Sequence, residues 1–151
     1  MEEGLNFIRE NRDAPFFCYL PITPPLGMFD IPSDDPAWEQ YRNESWIKDD
    51  KIPQDVKNYA AMVTMVDNNL GQVVDLLAEL KLSNDTIVFF TGDNGGQDRF
   101  RSPEHPRGFF SPNKNPTSGV EFRGGKGSLD EGGLRLAVLV LWPGIIRPGL
   151  V

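Results

Sequence analysis

Asp93 and Asn94 stand side by side in TIVFFTGDNGG (86–96), directly after an apolar run and inside glycine-rich backbone. The aspartate offers a charged oxygen and the asparagine a neutral one. That pair suits a hard cation such as calcium or magnesium, which takes oxygen ligands. Gly92, Gly95 and Gly96 let the backbone turn tightly and approach a ligand. Asn94-Gly95 suits an ordinary turn equally well, so these residues by themselves leave both readings open. A second glycine-rich stretch, GGKGSLDEGG (124–133), sets Lys126 between glycines and adds the carboxylates of Asp130 and Glu131. With so little bulk beside it, the Lys126 ammonium can reach an oxyanion lying near a metal; a plain exposed lysine fits the same pattern. The spacing is neither that of a phosphate-binding P-loop nor that of an EF-hand.

Two further residue types are present once each. His105, in PEHPRG, can bind substrate or donate a proton, although Pro103 and Pro106 also suit a rigid exposed loop. A single histidine excludes a histidine pair, a zinc set and a serine–histidine–acid triad. Cys18 excludes an internal disulfide and an all-cysteine metal cluster. Its setting, FFCYL, predicts a buried, unreactive thiol.

These groups need elements to hold them. Residues 86–90 and 136–141 are nearly continuous apolar runs, as expected of buried strands in a parallel sheet covered by helices on both faces. Ahead of the first run, residues 54–80 form the clearest helix, with Tyr59, Val63, Val66, Leu70, Val73, Leu77 and Leu80 along one apolar face. Met62, Val74 and Leu76 broaden that face. Gly71 lowers helix propensity and would permit a close approach. Residues 15–20 read as a short strand preceded by a helix end at 5–9. Pro21, Pro24, Pro25, Pro32 and Pro36 exclude a continuous helix or central strand from 21 to 36. Residues 38–50 suit a surface excursion or a short helix. Strand–helix–strand order predicts an α/β fold with active residues at the carboxyl ends of strands. Residues 91–135 are too many for a plain loop, and compact folds keep such lengths mainly for function.

With 151 residues, 39% of them hydrophobic, the chain is expected to form one globular domain. A net charge of −7 argues against a nucleic-acid partner. The longest apolar run, 136–142, is too short to cross a bilayer. The charge is unevenly spread: residues 1–96 carry 7 basic and 17 acidic side chains, whereas residues 97–135 carry 7 and 5. Positive groups therefore gather beside the glycine-rich stretches, as an anion site would require; mixed solvated loops would show the same bias.

Four blocks, PFFCYLPITPP (15–25), NYAAMVTMVDNNLGQVVDLL (58–77), DTIVFFTGDNG (85–95) and FRGGKGSLDEGGLR (122–135), with WPG (142–144) after them, resemble the formylglycine-dependent sulfatases of the alkaline-phosphatase-like superfamily. They cover most of the chain in the family's order. The resemblance implies a large, mostly parallel central sheet flanked by helices, of which 86–90 is one strand. It implies calcium held in part by Asp93 and Asn94, sulfate contacted by Lys126, and hydrolysis of a sulfate ester on a small molecule or glycan. Residues 97–121, with Arg99, Arg101, His105, Arg107 and Lys114, are the expected substrate-facing loop, with a preference for anionic sugars.

The sequence departs from the family at two places. The early metal-binding acidic pair and the cysteine-x-proline-serine-arginine motif, whose cysteine becomes formylglycine, have no counterpart here: Cys18 is followed by Tyr19-Leu20-Pro21. The resemblance thus implies the middle to C-terminal portion of a catalytic domain over residues 1–151, without its nucleophile and inactive by itself. Leu26 stands where family members commonly place a sulfate-contacting histidine, and leucine has no proton to give. Alternatives from the same superfamily are a non-catalytic anion- or glycan-binding relative and a phosphatase or phosphonate hydrolase. By resemblance the longer protein would be periplasmic or secreted, while MEEGLNFIRE carries no signal-peptide pattern.

Overall fold

A computed structural model describes residues 1–26, 28–97 and 113–149. Two compact units divide the chain, Met1–Thr86 and Ile87–Val151.

The first unit is built on helices. α1 (Glu2–Glu10) and α2 (Gln54–Glu79) pack together, and 3-10 turns at Pro36–Tyr41 and Ser45–Lys48 lie between them in sequence. Every buried hydrophobic side chain among the described residues belongs here: Leu5 and Ile8 of α1, Phe29, Ile31 and Ala37 of the connection, and Ala61, Met62, Val73, Leu76 and Leu77 of α2. The helix 54–80 is present almost to the residue. It ends as it should for its sequence: Lys81 takes a left-handed φ of 61°, its N–H donates to the Ala78 carbonyl at 3.0 Å, and Leu82 N–H donates to Leu77 at 2.8 Å. That is a Schellman closure.

The buried face differs from the predicted one in the N-terminal half of α2. Lys57, Ala61 and Thr64 are buried there, while Val63 is exposed. The cause is the proline-rich connection, which lies along this side. Asn58 Nδ2 donates to the Phe29 carbonyl at 2.8 Å, Lys57 Nζ to Asp49 O at 3.0 Å, and the Tyr41 hydroxyl meets Thr64 Oγ1 at 2.7 Å. The Phe29 and Tyr59 rings add an edge-to-face contact at 5.2 Å. Polar residues are therefore buried on a face that periodicity alone assigns to apolar ones, each satisfied by a partner. A Cβ at Gly71 would have nothing within 4 Å, so no close approach occurs there.

Residues 15–20 are not a strand: they carry no ladder among the described residues. Their side chains nevertheless alternate, with Phe16, Cys18 and Leu20 partly covered and Phe17 and Tyr19 exposed. The two-residue period is present, but a strand also needs a neighbour.

The second unit holds β1 (Val88–Thr91), the one-turn α3 (Glu131–Leu134) and β2 (Val138–Leu141). β1 and β2 pair in antiparallel register, Val88 opposite Leu141 and Thr91 opposite Val138. The parallel arrangement expected for these two runs is thus corrected. A parallel pair needs a crossover to carry the chain back to the same end, whereas these two strands run in opposite directions. A mostly parallel α/β sheet accommodates such an antiparallel member. The strands are also less covered than predicted: all four side chains of β2 and Phe89 of β1 are exposed.

Candidate active site

The buried positions described in the second unit are all glycines: Gly95, Gly125, Gly132 and Gly133. Its interior is backbone packed on backbone. β1 delivers the chain to Asp93–Gly96, and Gly95 N–H donates to the Gly133 carbonyl at 2.7 Å. From the other stretch, Lys126 N–H donates to Gly96 O and Gly132 N–H to Arg123 O, both at 2.9 Å. Side chains have no room at these crossings. A Cβ on Gly95 would overlap the Gly132 carbonyl and lie 2.8 Å from Gly133 Cα; one on Gly132 would overlap the Gly124 carbonyl. The two glycine-rich stretches are therefore one structure, and the glycines are what allow it.

Asp93 and Asn94 sit on its rim. The Asp93 carboxylate is exposed and has no hydrogen bond or ion pair among the described residues. Asn94 Nδ2 donates to the Gly95 carbonyl at 2.9 Å, which leaves its amide oxygen as the free atom. One charged and one neutral oxygen, both unspent, fit part of the donor set of a hard cation. No group of three or more histidine, cysteine, aspartate or glutamate side chains gathers among the described residues.

Among the described cations of this unit, Arg123, Arg135 and Lys114 form ion pairs, whereas Lys126 and Arg147 form none. Arg135 pairs with Glu131 at 2.6 Å and lies over the Phe122 ring; Arg123 pairs with Asp130 at 3.5 Å. Lys114 faces Glu121 across a short hairpin at 3.5 Å. Lys126 has no carboxylate partner among the described residues, and its main chain is fixed to the loop that bears Asp93 and Asn94. The two carboxylates of the second stretch are occupied. Asp130 accepts from Ser128 Oγ at 2.9 Å and precedes α3, and Glu131 holds Arg135.

Arg99, Arg101, His105 and Arg107 lie outside the described residues. Leu26 is half-exposed in the first unit, and nearby Thr23 and Pro24 border a shallow groove with Met65 and Asn69 of α2. Cys18 is partly covered, and burial raises its thiol pKa above the ordinary value. It does not fit the formylglycine position in sequence. Asn113 escaped the sequence reading. Its Nδ2 donates to Gly96 O at 2.8 Å and to Gly132 O at 3.2 Å, tying both stretches together. Nothing in its neighbourhood in the sequence signals this, because both acceptors are distant backbone atoms.

The Sulfatase family profile matches residues 1–150, and the chain belongs to that family. It is 30% identical to the steryl-sulfatase of Rattus norvegicus over 97% of its own length and 22% of the relative's. It is 29% identical to the N-acetylgalactosamine-6-sulfatase of Canis lupus familiaris over all of its length and 24% of that protein. The crystal structure of Ps i-CgsB in complex with k-i-k-neocarrahexaose superposes with a TM-score of 0.67 at 28% identity, covering 95% of this chain and 27% of the other. The α/β, alkaline-phosphatase-like fold class follows from these matches. The chain spans about a quarter or less of the relatives it matches.

Proposed function

We propose that the protein carrying this chain is a calcium-dependent sulfuric ester hydrolase, to which residues 1–151 contribute part of the catalytic domain. The observation that carries this reading is the attachment of Lys126, through its own N–H, to the Gly96 carbonyl beside Asp93 and Asn94. The main chain of a lysine without a carboxylate partner among the described residues is thereby fixed to the loop that bears Asp93 and Asn94. Asp93 and Asn94 would hold the metal, and Lys126 would place its ammonium on a sulfate oxygen. Bound calcium would supply Lewis-acid stabilisation of the charge on the transferring group. Glycine backbone keeps the surroundings free of side-chain bulk, so an anion can approach. A glycan or small sulfated molecule is the proposed substrate class. An N-acetylgalactosamine-6-sulfatase among the relatives and an oligosaccharide complex among the structural neighbours support the glycan.

The test uses the full-length gene product with aryl and carbohydrate sulfates under calcium titration. Lys126→Ala is expected to lower turnover about 100-fold, the order of effect seen when one preorganised stabilising group is lost. Asp93→Asn should raise the calcium requirement by more than the roughly 10-fold typical of losing an outer-shell partner. Turnover untouched by Lys126→Ala would sink the lysine assignment, and activity indifferent to chelators would sink the calcium one.

Leu26 favours a second reading, a relative that keeps the fold for binding. Its half-exposed side chain cannot protonate a leaving group. If Leu26→His creates sulfatase activity in an inert protein, that reading gains; a native enzyme unaffected by the change removes it.

A further inference from the structure

Asn113 stands at the junction of three segments. Its Nδ2 donates to the Gly96 carbonyl at 2.8 Å, beside the Asp93–Asn94 pair, and to the Gly132 carbonyl at 3.2 Å, at the start of α3. Its own carbonyl accepts from Phe122 N–H at 2.7 Å, which closes the hairpin 113–122. The hairpin is set independently by Asn115, whose Oδ1 accepts from the N–H groups of Thr117 and Ser118, both at 2.9 Å. Asn113 is therefore not needed to make the turn, and its side chain is free to face the glycine stretches.

The Gly96 carbonyl is the shared point. Its oxygen accepts both Asn113 Nδ2 and Lys126 N–H, at 2.8 and 2.9 Å. Two donors on one oxygen fix its direction more closely than one, and the lysine main chain hangs from the same atom. A Cβ on Gly96 would lie 2.7 Å from Asn113 Oδ1, so the asparagine also fills the space that glycine leaves.

We propose that Asn113 is a positioning residue for sulfate binding: it orients the Gly96 carbonyl and, through it, sets Lys126 relative to the Asp93–Asn94 pair. The inference rests on the sulfatase reading above. Only an amide N–H2 satisfies both carbonyls with one atom. A carboxylate in its place would put negative charge against two carbonyl oxygens and leave both without their donor.

The test is a double-mutant cycle in the full-length protein, read by KM for a sulfate ester and by inhibition with inorganic sulfate. Asn113→Ala and the nearly isosteric Asn113→Asp are each expected to raise both constants about 10-fold, the low end for loss of an outer-shell partner. In a Lys126→Ala background the same changes should have little further effect, because the group they position is gone. A purely structural role would instead lower the melting temperature and act equally in both backgrounds. Additive effects, wild-type sulfate inhibition in Asn113→Ala, or failure of both Asn113 variants to fold would overturn the proposal. Should Lys126→Ala itself leave turnover and sulfate inhibition unchanged, the sulfatase reading falls, and this inference with it.

Discussion

At the scale of single residues, the molecule separates groups spent on structure from groups left for chemistry. In the second unit Asp130, Glu131, Arg123, Arg135 and Lys114 all have charged partners, whereas Asp93, Lys126 and Arg147 have none among the described residues. Exposed ion pairs of this kind add little to stability, so their main consequence is to quiet the surrounding charges. Cys18 is the opposite case, a partly covered thiol whose ionisation is disfavoured. Burial disfavours its thiolate and raises the pKa. Carbamidomethylation by iodoacetamide at pH 7 should therefore run slower than for an unfolded cysteine peptide and accelerate as pH climbs past the ordinary thiol range. The sign for stability is the same. The folded state favours the neutral thiol, so this contribution is intact at neutral pH and declines as pH rises from the unfolded pKa through the raised one. Rapid labelling at pH 7 would contradict the burial argument.

Among the elements, the glycines behave in two different ways. Gly71 lies in the interior of α2 with open space where a Cβ would go, and Gly132 lies at a crossing where a Cβ would overlap a carbonyl. Gly71→Ala is expected to stabilise by about 0.5–1 kcal/mol, from helix propensity and reduced freedom of the unfolded chain. Gly132→Ala should destabilise by about 1–3 kcal/mol as an overpacked position, because its Cβ meets the Gly124 carbonyl within the second stretch. Thermal melting of both variants checks the contrast; equal effects would mean the crossing can relax. Composition treats these two glycines alike, and so does any reading of sequence alone.

That difference also marks what was legible. The helix at 54–79 and the strands at 88–91 and 138–141 follow from local periodicity and apolar runs. The buried side of Lys57 and Thr64 depends on a connection that returns from far along the chain. The strand direction depends on how the intervening residues travel. Asp93, Asn94 and Lys126 were visible as chemical types, while Asn113 was not, since its role is defined by two carbonyls.

For the molecule as a whole, apolar surface is unevenly distributed. The helical unit buries the hydrophobic side chains described, while Phe17, Phe89 and the whole of β2 remain exposed. Patches of that kind mark surfaces that other protein covers. Expressed as 151 residues, the chain should bind a hydrophobic dye such as ANS and elute larger than a monomer. Added salt should strengthen the association, because it screens the net charge of −7 that keeps copies apart. A dye-silent monomer at all ionic strengths would show that these faces are covered within one chain.

The glycine crossings have one more consequence, and it concerns solvent isotope exchange. The amides of Gly95 and Lys126 both donate to carbonyls of the other glycine-rich stretch. They can exchange with deuterium only when the two stretches separate, so the two should exchange at a common rate set by one local opening. Their protection would report assembly of the site directly, in a protein of any activity, without substrate or metal present.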